Sequence, residues 1–215
     1  MLKIVIMTAA GFLSGSIMYA YLLPKWFRGV DARTYCEDAN PGGMSAIAAA
    51  GLPMGVVCIA LDVLKAAVPV FIAASVLRIS GYGLVPVVAA PVLGHAFTPF
   101  LKFRGGKAIA AAFGAMFGMV GISWAFVLLA APMLLFTFVF VLHPDTAKAV
   151  GGFAVTALLC LVIEPLWELK LATLIICIAV CYKNLYKPNK GELYASLGSL
   201  QFFLEDKRIK LRKGT

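Results

Sequence analysis

Residues 102–107 read KFRGGK, with Lys102, Arg104 and Lys107 standing around the Gly105-Gly106 pair between the apolar stretches GHAFTPFL and AIAAAFGAMFG. Glycines let a backbone turn successive N–H groups into a concave nest, a following helix adds the positive end of its dipole, and neighbouring cations supply charge for an oxyanion. Those are the parts of a phosphate site. A cationic turn at a membrane surface uses the same residue types, and the GxxxxGK[ST] spacing of a nucleotide-binding loop is missing.

Three other groups carry candidate chemistry. Asp62 and Lys65 lie three apart in GVVCIALDVLKAAVPVF, so they share a helix face. Charges inside so apolar a run mark a cavity or site, or else a mutual ion pair that locks helices together. His95 stands seven residues before Lys102, either as a hydrogen-bonded packing residue or as a base for an attacking hydroxyl. No second histidine lies close enough to suggest a metal pair, and His143 precedes Pro-Asp-Thr at a helix end. The stretch RGVDARTYCEDANPGGMSA combines Arg28, Asp31, Arg33, Glu37, Asp38 and Asn40 with a flexible Pro41-Gly42-Gly43 turn. It reads as a loop holding a polar substrate against the membrane, or as a solvated connector. Cys36, Cys58, Cys160, Cys177 and Cys181 show no CxxC or zinc spacing and read as small hydrophobes.

The chain that positions these residues has 215 residues, 62% hydrophobic and 13% charged, with mean hydropathy +0.94. An average soluble domain is about 25% charged. This composition predicts an all-α, polytopic membrane protein, since β-barrel alternation is absent and a lipid-facing backbone must satisfy its own hydrogen bonds. About seven transmembrane helices are expected, at roughly 2–24, 53–77, 82–101, 107–121, 122–142, 149–166 and 168–183. The first is expected to be a retained span, because no small-residue cleavage site follows it. The uncharged stretch 108–142 is too long for one crossing, so the chain is expected to turn near GMVGIS.

Segments 25–52, 102–107, 143–148 and 184–215 hold 3, 3, 1 and 7 of the 19 Lys and Arg residues. The positive-inside rule then predicts an external amino terminus and a cytoplasmic carboxyl terminus, and puts the 25–52 loop and KFRGGK on the cytoplasmic face. The net charge of +9 is explained by topology and anionic lipid or substrate; no nucleic acid is implied. A single domain over 1–215 is expected, with a basic cytoplasmic tail at about 184–215.

In order along the chain, GSIMYAYLLPKWFRGVDAR, NPGGMSA, GLPMG, LDVLKAAVP and VLGHAFTPFLKFRGGKAIAAAFG resemble the bacterial acyl-phosphate:glycerol-3-phosphate acyltransferase family. The likeness covers 11–114 well and the remainder by hydropathy. It implies a multi-pass enzyme of the bacterial-type plasma membrane, its active site facing the cytoplasm, that moves an acyl group from acyl phosphate to the 1-hydroxyl of glycerol 3-phosphate and yields lysophosphatidic acid for phospholipid synthesis. No metal or organic cofactor is implied, and no protein partner is specified.

On this resemblance Gly105, Gly106 and Lys107 match the family's phosphate-contacting loop, and His95, Asp62 and Lys65 sit where the family has the same residue types. Lys107 and His95 become the catalytic candidates. Arg104, Asn40, Gly42, Gly43 and Ser45 join the two glycines as candidates for phosphate contact, and Arg33 joins Asp62 and Lys65 in support. The chain also departs from the pattern. Where the family has Gly-Ser-Gly-Asn in its first cytoplasmic loop this chain has CEDAN, in which Asn40 matches. The glycine after the loop lysine is Ala108, and the terminal His-Arg-Glu-Asn motif has no aligned His in YKNLYKPNK. Carboxylates at 37 and 38 repel a phosphate unless Arg28, Arg33 or Lys107 neutralises them. A different acyl acceptor, a non-catalytic lipid-binding protein and a transporter are the rival readings.

Overall fold

The computed structural model describes residues 1–186, 188–189 and 193–197. Most of the basic tail expected at 184–215 therefore lies outside the described residues.

Most of the apolar, charge-poor sequence becomes helix. α1 (Leu2–Ser16) breaks at Ile17-Met18 and continues as α2 (Tyr19–Arg28), bent by 44°. Gly29, at φ 68, ends α2 with its N–H on the Lys25 carbonyl, the left-handed cap that glycine tolerates best. A loop through residues 30–42 leads to the short α3 (Gly43–Ala50) and then α4 (Leu52–Phe71), which Ile72–Val76 extends as a π-helical turn. α5 (Leu84–Ala96) is flanked by 3-10 turns, so that Gly81–Leu101 forms one span of 21 residues. α6 (Ile109–Phe117) and α7 (Ala125–Leu134) follow, then α8 (Asp145–Ile163) and α9 (Trp167–Tyr186).

Among the described residues, four helical segments are long and apolar enough to cross a membrane, and the bent pair α1–α2 makes a fifth when counted as one span. The chain turns at 118–124, within the expected GMVGIS region, where Gly121 takes φ 90. The two segments either side are shorter than the expected spans: α6 has nine residues, and α7 with its π-helical turn ends at Val139 after fifteen. The all-helical expectation also needs an amendment. β1 (Phe140–His143) pairs antiparallel with β2 (Tyr194–Leu197), Phe140 opposite Leu197 and His143 opposite Tyr194. β-branched and aromatic residues before Pro144 favour extended backbone there.

α5 is the central element, packed against α1 and α9, while α6 packs on α4 and α8 on both α7 and α9. Small residues permit the closest approach: a Cβ at Gly15 would meet the Pro91 backbone, and one at Gly94 would meet the Phe12 carbonyl. α4, α8 and α9 turn Val56, Leu64, Val68, Leu158, Val162 and Ile178 outward, an apolar surface suited to lipid. One end of the bundle gathers the 30–42 loop, the 102–108 loop and the carboxyl end of α9, and the opposite end carries Lys3, whose ammonium donates to the Leu77 carbonyl at 3.0 Å.

Candidate functional site

A cavity of about 710 Å³ opens at the loop end of the bundle. Asp31, Arg33, Asp38 and Asn40 line it from the first loop, Lys102–Lys107 from the second, and Phe97, Tyr182, Lys183 and Tyr186 from α5 and α9. Among the described lining residues, five cations against two carboxylates give it a net positive charge, in a shape lined by aromatic rings. Such a cavity attracts an anion from solution.

Lys107 is its focus. The ammonium lies 2.8 Å from Asp38 Oδ2 and donates to Asn189 Oδ1 at 2.6 Å, while the Lys107 backbone N–H donates to Asn40 Oδ1 at 3.2 Å. Asn189 is held in turn by Thr146, whose hydroxyl accepts the Asn189 backbone N–H at 2.8 Å. Three distant segments thus converge on one cation. Thr146 and Asn189 were not singled out from sequence, since residues 40–80 apart along the chain leave no local spacing to find.

The two glycines of KFRGGK are required for closeness, not for unusual dihedrals. A Cβ at Gly105 would collide with the His95 and Ala96 carbonyls, and one at Gly106 with His95 Nε2. The Gly106 N–H donates to the His95 carbonyl at 3.1 Å, so this amide holds the loop against α5. His95 itself is 3% exposed and sits behind Gly106, outside the cavity lining, with Nδ1 3.9 Å from Asp62 Oδ1. The left-handed positions of the loop fall on Lys102 (φ 51), Phe103 (φ 61) and Ala108 (φ 62).

Of the residues named as candidates from sequence, Arg33, Arg104, Asn40, Gly105 and Gly106 line the cavity together with Lys107. Ser45, Gly42 and Gly43 do not line it. Ser45 is buried and its hydroxyl donates to the Asn40 carbonyl, which also accepts the Gly42 N–H at 2.9 Å. A Cβ at Gly42 would crowd the Asn40 side chain. Ser45 and Gly42 therefore shape the turn that presents Asn40, whereas Gly43 lets α3 approach Ile59 of α4.

Asp62 and Lys65 also lie outside the lining, paired at 2.7 Å with both side chains 2% exposed. The Lys65 ammonium donates to the Ile17 carbonyl, and the Ser14 hydroxyl donates to the Lys65 carbonyl at 2.8 Å. Nearby, the Thr98 hydroxyl donates to the Ser16 carbonyl at 2.8 Å. The α1–α2 break leaves the Ser16 and Ile17 carbonyls without intrahelical partners, and Thr98 and Lys65 satisfy them, while the Ser14 hydroxyl serves a Lys65 carbonyl left free because Pro69, four residues on in α4, has no N–H.

Arg33 clamps Asp31 through two nitrogens, Nε to Oδ1 at 3.0 Å and Nη2 to Oδ2 at 2.6 Å, with its guanidinium 4.6 Å from the Tyr21 ring centroid. The hydrogen bonds from Arg33 hold the Asp31 carboxyl below its ordinary range, and the same bonds raise the Arg33 guanidinium above its own.

Glycerol-3-phosphate acyltransferase from Thermotoga petrophila is 44% identical over 109 residues, 50% of this chain and 54% of that protein. The relative of the same description from Anaeromyxobacter is 35% identical over 161 residues, 69% of this chain and 77% of its own length. The chain spans about half the length of the Thermotoga relative it matches. Among solved structures, PlsY (YgiH), an integral membrane glycerol 3-phosphate acyltransferase in its glycerol 3-phosphate form, superimposes with a TM-score of 0.74 at 24% identity, covering 85% of this chain and 88% of that one. This last likeness concerns the fold. The glycerol-3-phosphate acyltransferase family model matches residues 5–194, which take in both cavity loops and α9, and the chain belongs to that family.

Proposed function

We propose that this protein is a membrane glycerol-3-phosphate acyltransferase that transfers an acyl group from acyl phosphate to glycerol 3-phosphate, giving lysophosphatidic acid and inorganic phosphate. The observation that carries this reading is the placement of Lys107 on a cationic cavity at the end of a lipid-facing bundle. The acyl chain stays among the helices and lipid while its carbonyl-phosphate end meets the acceptor at the loops. Phosphate is a good leaving group, so the protein's task is to align the acceptor hydroxyl and to offset charge developing on the carbonyl oxygen. Lys107 binds the substrate phosphate and supplies that charge, and Lys102 and Arg104 bind phosphoanions beside it, with Arg33 in support through its clamp on Asp31. Gly105 and Gly106 bring the loop onto α5 so that Lys107 faces the cavity. His95 acts through that loop as a positioning residue, with Asn40 and its supports Gly42 and Ser45 holding the Lys107 amide, and Gly43 packing the same turn against α4. Asp62 and Lys65 support the bend beside the site.

In the membrane we assign the cavity to the cytoplasmic face, the amino terminus to the outside and the carboxyl terminus to the cytoplasm, by charge distribution. Seven passes follow if α6 and α7 each cross as shortened segments sunk among their neighbours.

Purified protein in lipid, given palmitoyl phosphate and labelled glycerol 3-phosphate, is expected to form labelled lysophosphatidic acid. Lys107→Ala should lower that rate about 100-fold or more, the scale for removing one oxyanion-stabilising group. Wild-type protein that stays folded and forms no ester would overturn the reading.

A further inference from the structure

Lys107, a largely enclosed cation of the cavity, already carries an anion. Asp38 and Lys107 are 7% and 12% exposed at their side chains, pair at 2.8 Å, and both face the cavity. The pairing is built in: Asp38 Oδ1 accepts the Asn40 N–H at 3.1 Å, and Asn40 Oδ1 accepts the Lys107 N–H at 3.2 Å. One turn of chain therefore lays a carboxylate on the ammonium and an amide oxygen on the backbone of the same residue. The other carboxylate of the cavity, Asp31, is taken by Arg33, whereas Lys102 and Arg104 make no ion pair among the described residues. A phosphate drawn in by those outer cations reaches Lys107 only against Asp38, because two anions beside one ammonium repel each other.

We propose that Asp38 is an internal counter-anion that competes with the substrate phosphate for Lys107 and thereby sets the affinity and anion selectivity of the site. Phosphate enters by exchange: its oxygens take the Lys107 hydrogen bond and Asp38 leaves it. A dianion with three acceptor oxygens can outcompete a single carboxylate, whereas monoanions such as chloride or a fatty-acid carboxylate offer no more than Asp38 already does. Asp38 is thus a specificity residue that acts before any bond is made. The proposal rests on the reading of Lys107 as a phosphate ligand, and not on acyl transfer itself.

Equilibrium binding of inorganic phosphate to the purified full-length protein tests it without turnover. Asp38→Asn, which keeps the shape, and Asp38→Ser, which is smaller, should each bind phosphate about tenfold more tightly than wild type, since like charges at a binding site are strongly disfavoured. Lys107→Ala in the Asp38→Asn background should abolish that gain. Equal or weaker binding by the folded Asp38 variants, or no phosphate binding by any form, would overturn the proposal. Tighter binding by the Asp38 variants, together with a wild type that makes no lysophosphatidic acid, would support the counter-anion and remove only the acyl-transfer reading.

Discussion

Lys65 reaches across to cap the carbonyl of Ile17, 48 residues upstream, at the point where α1 gives way to α2. The ammonium is held there by Asp62 at 2.7 Å, so a buried ion pair fixes a bend of 44° next to the cavity. Removing one member of such a pair strands the other charge in an apolar surround. Lys65→Met should destabilise the protein by about 3–5 kcal/mol. The double variant Asp62→Leu/Lys65→Met should recover part of that loss. Thermal unfolding in detergent–lipid micelles measures both, and a Lys65→Met midpoint equal to wild type would show that the pair is not what holds the bend.

Gly105 and Gly106 should respond differently to the same added methyl. At Gly106 the new carbon meets the His95 imidazole and, at 3.3 Å, Met18 Cε, both side chains; at Gly105 it meets the backbone carbonyls of His95 and Ala96. Each single alanine variant is expected to cost about 1–3 kcal/mol through overpacking. His95→Ala should relieve Gly106→Ala but not Gly105→Ala, so a double-mutant cycle should show coupling of at least about 0.5 kcal/mol for the first pair alone. Equal coupling for both pairs would contradict the packing described.

Ala108 holds a left-handed backbone, φ 62, at the entrance to α6, and Ala39 holds φ 47 between Asp38 and Asn40. Aligned on Lys107 and Asn40, both stand where the resembling family pattern has glycine. The backbone turn is therefore kept while the residue suited to it has changed. Ala108→Gly should stabilise the protein by about 1 kcal/mol, the relief of left-handed strain less the added freedom of the unfolded chain. An unfolding midpoint that falls in this variant would count against a strained loop.

The Asp31–Arg33 clamp carries a pH dependence of known sign. Because the folded carboxyl titrates below its unfolded value of about 3.9, the clamp's contribution is complete above that pH and is lost as pH falls through the lowered folded value. At partial exposure the contribution stays under about 1 kcal/mol. Hydrogen exchange at the Arg33 amide, which donates to Asp31 Oδ1 at 3.0 Å, should be faster in Asp31→Asn than in wild type at pH 6, with the difference closing below pH about 4. A difference that grows on acidification would reverse the sign.

What the sequence determined by itself was the apolar helical character, the turn within GMVGIS and the family, because hydropathy and a contiguous motif such as LGHAFTPFLKFRGG are local properties of the chain. It also singled out Lys107, Arg104 and Asn40 as candidates, since cations and an amide beside glycines stand out in an apolar sequence. Tertiary structure alone decided what those residues touch. The spacing of Asp62 and Lys65 gave a shared face, but only the break at Ile17 explains why a lysine is needed there. The glycines looked like exposed amides, yet packing assigns them to close contact with His95 and spends the Gly106 N–H on its carbonyl. Asp38 and Asn189 meet at Lys107, with Thr146 holding Asn189, because segments distant in sequence come together at one end of the bundle, and long-range contacts of that kind leave no periodicity to read.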